Sequence, residues 1–84
     1  MQTQSHRIIT PPEDKTFPRK QWILKADTEL RLLVNANERV SISLISGQAE
    51  IFGREITADQ SITLTNSRVA IYAIKDSVIL VFYL

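Results

Sequence analysis

The chain has no cysteine, one histidine and two glycines in 84 residues. Each scarcity closes off a class of chemistry. Without cysteine there is neither a disulfide framework nor a thiolate metal site, and a lone histidine cannot supply the imidazoles of a zinc centre. That histidine, His6, stands beside Arg7 in a polar leader, where nothing would orient it as the base of a Ser-His-Asp triad. It reads as a surface residue. A phosphate-cradling GxxxxGK[ST] loop needs two glycines and a lysine in series, but Gly47 and Gly53 are followed by Gln48 and Arg54. No window approaches the ~18 apolar residues of a membrane helix, and the first residues lack the apolar run of a secretory signal. The expectation is a soluble intracellular protein. The formal net charge of +1 makes no bulk electrostatic case for nucleic acid or membrane.

A chain this short is one domain with a thin margin of stability. An apolar fraction of 44% is enough for a single core. The charge is unevenly spread. Arg7, Lys15, Arg19 and Lys20 outnumber Glu13 and Asp14 in residues 1–20, while the remainder is close to balance. Residues 1–20, with Pro11, Pro12 and Pro18, therefore read as a flexible leader, disordered or laid along the body as an extended strip anchored by Ile8 and Ile9. A solvated tail is the plain reading and a nucleic-acid arm the sharper one.

From Gln21 onward the pattern is strand, turn, strand. Gln21 to Lys25 is a short apolar strand whose Trp22 covers one end of the core, its indole N–H near the surface. Ala26-Asp27 turns. Thr28 to Val34 alternates, with Leu30, Leu32 and Val34 on one face and Glu29, Arg31 and Leu33 on the other. Asn35 to Glu38 reads as a polar connection, and Val40 to Ile45 as a second alternating strand. Ser46-Gly47 is a hairpin-type turn from which Gln48 to Phe52 pairs back, and Gly53 marks a bulge or corner. Arg54 to Thr57, Ile62 to Leu64 and Arg68 to Ile74 follow as strands, separated by turns at Ala58–Ser61 and Asn66-Ser67. After a turn at Lys75-Asp76-Ser77, Val78 to Leu84 is apolar on both faces, as in a strand placed centrally or covered by partner material.

The expected fold is all-β: a small antiparallel β-sandwich, jelly-roll-like, of about eight short strands over residues 21–84. Nothing has helical periodicity. Paired carboxylates can do acid–base work, and Glu50 and Glu55 flank Gly53. Glu50 reads instead as a partner of Arg54 or of backbone amides at the glycine corner, so the chain itself reads as no enzyme. Trp22, Tyr72 and Tyr83 offer a second reading, a free-standing β-barrel that stacks single-stranded nucleic acid.

The string SGQAEIFGREI, Ser46 to Ile56, resembles the SGxAEIFGTEL signature of polyadenylation factors of the Clp type, the RNA 5′-hydroxyl kinase family. WILKADTELRLLV upstream and RVAIYAIKDSVILV downstream extend the likeness in order, over Gln21 to Val81. The resemblance implies an N-terminal β-sandwich that packs on a central P-loop ATP-binding domain and lends side chains to the adenine end of its ATP. Carried over residue by residue, the nucleotide contacts fall on Glu29 and Arg68. A carboxylate can accept from the adenine amine or a ribose hydroxyl, and a long cation can lie over the base. An exposed cross-strand ion pair is the alternative reading of the same two residues. The resemblance further implies a nuclear protein of pre-mRNA 3′-end cleavage and polyadenylation, with a Pcf-type scaffold subunit, in animals a tRNA-splicing endonuclease, and RNA only indirectly. Arg54 stands where the family has Thr, and Ile56 where it has Leu. The family sandwich continues for further strands, so residues 21–84 are expected to be a shortened or a compact form of it.

Overall fold

The computed structural model describes residues 7–9 and 19–84; His6 and the three prolines lie outside them. Among the described residues every regular element is a strand: β1 (Arg7–Ile9), β2 (Arg19–Leu24), β3 (Thr28–Ser46), β4 (Ala49–Ile51), β5 (Arg54–Ile56), β6 (Ser61–Ala73) and β7 (Ser77–Tyr83). The order across the sheet is β2-β7-β3-β6-β4-β5, with β1 joined to β3. All pairings are antiparallel except β1 on β3. The expected all-β sandwich is present. It has seven strands among the described residues, because two of them are long.

The two long strands make the sandwich. The first half of β3 pairs with the second half of β6, which continues into β4 and β5. The second half of β3 pairs with β7, and β7 with β2. One curled ribbon thus belongs to two half-sheets. The alternation in β3 serves both: Leu30, Leu32 and Val34 are buried in one half and Val40, Ile42 and Leu44 in the other. Together with Leu24, Ile51, Ile56, Val69, Ile71, Ile79 and Val81 they form one core cluster. Each such side chain contributes roughly 1.5–3 kcal/mol on burial.

The polar run Asn35–Glu38 is not a connection between strands, as its composition suggested. It is extended backbone within β3, and there the ladder to β6 slips. Val34 faces Ser67 and Arg39 faces Thr65, so β3 takes five steps where β6 takes two. Asn66 sits in the left-handed region at φ 48°, which asparagine tolerates better than most residues. Side chains satisfy backbone groups released from the ladder. The Asn35 N–H donates to Glu38 Oε1 at 2.9 Å, and Thr65 Oγ1 donates to the Glu38 carbonyl at 2.5 Å. A bulge of this kind bends a strand and increases its twist, which is what lets β3 and β6 pass from one half-sheet to the other.

A second correction concerns β4. It does not pair back on β3 across Ser46-Gly47; it pairs with β6 and β5. The reason is that β3 is already bonded on both edges, to β6 and to β7, and has no free side to offer. A third concerns Trp22. The ring packs against the core and its Nε1 is buried, with no hydrogen-bond partner among the described residues. β7 does lie inside the sheet, between β2 and β3.

Three turns meet at one end of the molecule. The Ala26 N–H donates to Asp76 Oδ1 at 2.8 Å, and the Asp27 N–H to the Ala73 carbonyl at 2.7 Å. The Ile74 N–H donates to the Gln48 carbonyl at 2.8 Å. Ser77, buried, accepts from the Gln48 N–H at 3.0 Å and donates to the Lys75 carbonyl at 2.7 Å. Gly47, at φ 96°, fits against this clamp so closely that a Cβ there would stand within 3.0 Å of the Asp76 carbonyl oxygen and of Ser77.

Candidate functional site

The outer face of the first half-sheet carries the charged residues. Because side chains alternate, burial of Leu30, Leu32 and Val34 turns Glu29, Arg31 and Leu33 outward; burial of Val69, Ile71 and Ala73 does the same for Arg68, Ala70 and Tyr72. The register then stacks them in rows. Leu33 is beside Arg68, and Arg31 beside Ala70. Glu29 is beside Tyr72, which is beside Glu50, which is beside Glu55.

Ala70 is the only small side chain in the middle of these rows, and the surface dips over it. A depression of about 380 Å³ is lined by Glu29, Glu50, Phe52, Gly53, Arg68, Ala70 and Tyr72. A second, of about 470 Å³, adjoins it across Arg68 and Ala70 and is lined further by Arg31, Leu32, Leu33 and Val69. Glu29 and Arg68, far apart in sequence, therefore line one concavity. Glu29 is fixed within it: its Oε1 accepts from Arg31 Nε at 2.9 Å, and its side chain is 18% exposed against 55% for Arg31. An exposed ion pair of this kind adds little to stability, but it holds the carboxylate at a defined place.

Tyr72 is positioned from the clamp end. Its hydroxyl donates to Asp27 Oδ1 at 2.7 Å, and Asp27 is itself held in a left-handed turn at φ 66°. That bond raises the phenol above its ordinary value of 10.0, with burial and the negative charges of Asp27 and Glu50 adding in the same sense. The ring lines the depression.

Glu50 and Glu55 are cross-strand neighbours, and the residue across from Arg54 is Ile51. Alternation sends Arg54 and Glu50 to opposite faces, so the expected Glu50–Arg54 pairing is replaced by adjacent carboxylates. The three aromatics of the nucleic-acid reading are not brought together: Trp22 and Tyr83 pack against the core, and Tyr72 stands on the outer face. Among the described residues no cluster of histidine, cysteine or carboxylate side chains could hold a metal ion.

Phe52, Ala70 and the Asp27–Tyr72 bond escaped the sequence reading. The alternation Glu50-Ile51-Phe52 carried the signal for the first, since it puts Phe52 on the face of Glu50. Phe52 and Gly53 together form a two-residue hairpin loop, flanked by the Ile51–Arg54 pair, with φ 54° and 74°. Positive φ at both central residues is the type I′ geometry that suits the strand twist. Of the bulge or corner expected at Gly53, the structure has the corner, as half of a tight hairpin turn.

These features define a class: a small β-sandwich domain with a charged concavity on one outer face. Residues 23–82 match the family model for the N-terminal β-sandwich domain of a polyadenylation factor, Clp1. The chain belongs to that family. It is 40% identical over 62 residues to a Clp1 homolog of Anopheles gambiae, spanning 71% of this chain and 15% of that protein. It is 40% identical over 63 residues to the polyribonucleotide 5′-hydroxyl-kinase Clp1 of Xenopus tropicalis, spanning 74% of this chain and 14% of that one. In fold it resembles a chain solved for the extended interface between Pcf11p and Clp1p, with a TM-score of 0.72 at 23% identity over 77% of this chain and 15% of that chain.

Proposed function

We propose that this chain is an accessory domain of a nuclear pre-mRNA 3′-end cleavage and polyadenylation factor. It docks on a P-loop, RNA-kinase-like domain and supplies Glu29 and Arg68 to the adenine side of the ATP held there. The observation that carries this reading is that Glu29 and Arg68 border one concavity whose floor is Ala70. The names of the relatives support it: one is a 5′-hydroxyl-kinase, and a kinase of that kind consumes a nucleoside triphosphate. A flat base laid over Ala70 would have a carboxylate acceptor on one side for its exocyclic amine and a guanidinium on the other for its ring nitrogens or face.

The domain alone would bind ATP weakly, because most of the binding free energy belongs to the phosphate loop, and Gly47 and Gly53 do not build one. The chemistry would lie in the neighbouring domain, and this chain would contribute recognition and docking. A Pcf-type scaffold subunit is the further partner, on the model of the Clp1p–Pcf11p complex; RNA would be met only through the assembly. The test is ATP affinity of a full-length relative carrying residues 23–82 of this chain in place of its own. Loss of a hydrogen bond to a charged group costs about 1.5–3 kcal/mol, so Glu29→Leu and Arg68→Met should each weaken ATP roughly 10- to 100-fold. Unchanged affinity in both variants would refute the assignment.

A further inference from the structure

Phe52 is held where a phenylalanine does not belong. At φ 54° its Cβ crowds its own carbonyl, a conformation that glycine and asparagine accept and a bulky side chain does not. Asn-Gly is the favoured pair for this turn. Burial does not offset the strain, since Phe52 remains 63% exposed. The ring stands on the rim of the concavity beside Glu50, Gly53 and Arg68. Among the described residues Phe52 is the one exposed aromatic; phenylalanine is enriched at protein interfaces, and strain kept at the edge of a site is a mark of use.

We propose that Phe52 anchors the β4–β5 hairpin in an apolar pocket of the nucleotide-binding domain that brings ATP to Glu29 and Arg68. This rests on the docking reading above and names the contact that makes the docking. The occupant follows from continuity. A nucleotide lying over Ala70 must be carried by a body that reaches the rim of the concavity, and Phe52 is part of that rim. The hairpin tip trades stability of the free domain for adhesion.

That trade is the test. In the 84-residue chain, Phe52→Asn should raise the melting temperature by about 4–8 °C, as relief of left-handed strain in a domain of this size implies. In the full-length relative carrying residues 23–82 of this chain, the wild-type sequence should melt as one unit. Phe52→Asn should split that transition in two, and Phe52→Tyr, which keeps the ring, should restore it. A Phe52→Asn chain that is less stable than wild type would mean that the ring is retained for packing, and would overturn the proposal. A Phe52→Asn chimera that still melts as one unit would overturn the anchor while leaving docking intact. A wild-type chimera melting as two independent units would remove the docking reading and this one with it. Dimerisation of the isolated chain, seen in sedimentation and abolished by Phe52→Asn, would assign the ring to a second copy instead.

Discussion

Replacing Gly47 by alanine should cost far more than replacing Gly53 by alanine, although both glycines have positive φ. The backbone term is similar at the two sites, about 1–2 kcal/mol for forcing an L-residue into the left-handed region. The difference lies in what the new methyl group meets. At Gly53 there is open space within 4 Å. At Gly47 the methyl would collide with the Asp76 carbonyl oxygen and with Ser77 at its Oγ and Cα. Two of those atoms are backbone, so no rotamer change relieves the contact. Overpacking of a tight site costs about 1–3 kcal/mol. Moving Ser77 also strands the Gln48 N–H that it accepts, for about 1–3 kcal/mol more if that group stays buried. Gly47→Ala should therefore lose about 3–8 kcal/mol, a large part of the roughly 4–13 kcal/mol available to a domain of this length. With an m-value of about 1–3 kcal/mol per molar urea, its midpoint by circular dichroism should fall by several molar or vanish, while that of Gly53→Ala falls by about 2 M or less. Adding Ser77→Ala to Gly47→Ala should recover little, because Asp76 O and Ser77 Cα remain in the way. Equal urea midpoints for the two glycine variants would show that the turn clamp yields freely, and the reasoning would fail.

Alkaline titration tests the Tyr72–Asp27 bond. A phenol whose folded value is raised contributes stability that is fully present below the unfolded value of 10.0 and is lost as pH rises through the folded one. Tyr72→Phe should flatten the alkaline fall in melting temperature; an unchanged profile would deny the bond its role. Trp22→Phe exchanges a loss of ring volume for relief of the unpartnered buried N–H, so its cost should stay within about 1 kcal/mol. Leu24→Ala, at a fully buried neighbour in the same strand, should cost about 2–5 kcal/mol. Similar losses for the two variants, measured by urea denaturation, would mean that the indole nitrogen has a partner after all.

The parts of this fold legible in the sequence are those fixed by two-residue periodicity. Val40, Ile42 and Leu44, like Val69 and Ile71, announce an inward face because burial and alternation depend on neighbours in sequence. What was not legible depends on partners remote in sequence. Asn35–Glu38 looks like a loop by polarity, yet stays extended within β3 because the ladder to β6 resumes just beyond it, at Arg39 and Thr65. Likewise, β4 cannot return to β3 because β7, arriving much later, takes that edge. The candidate site divides the same way. Composition and spacing never distinguished Glu29 and Arg68 from an ordinary surface pair; resemblance did. The register then put them at one concavity, and Ala70, unremarkable in the string RVAIYA, became its floor.

This division also separates what stabilises the domain from what it presents. The glycine that tolerates no side chain, Gly47, sits in the clamp of turns with Ser77 and Asp76, whose side chains bond the backbone of neighbouring turns. The glycine with open space around it, Gly53, sits at the rim of the concavity next to a strained, exposed ring. A fold selected for stability alone would place asparagine before Gly53 and leave the rim polar. Tyr72 links the two regions, since its hydroxyl is tied to the Ala26-Asp27 turn while its ring lines the depression. Loosening the clamp should therefore reach the site through Tyr72, whereas changes at Phe52 should alter what the rim holds and leave the core as it is.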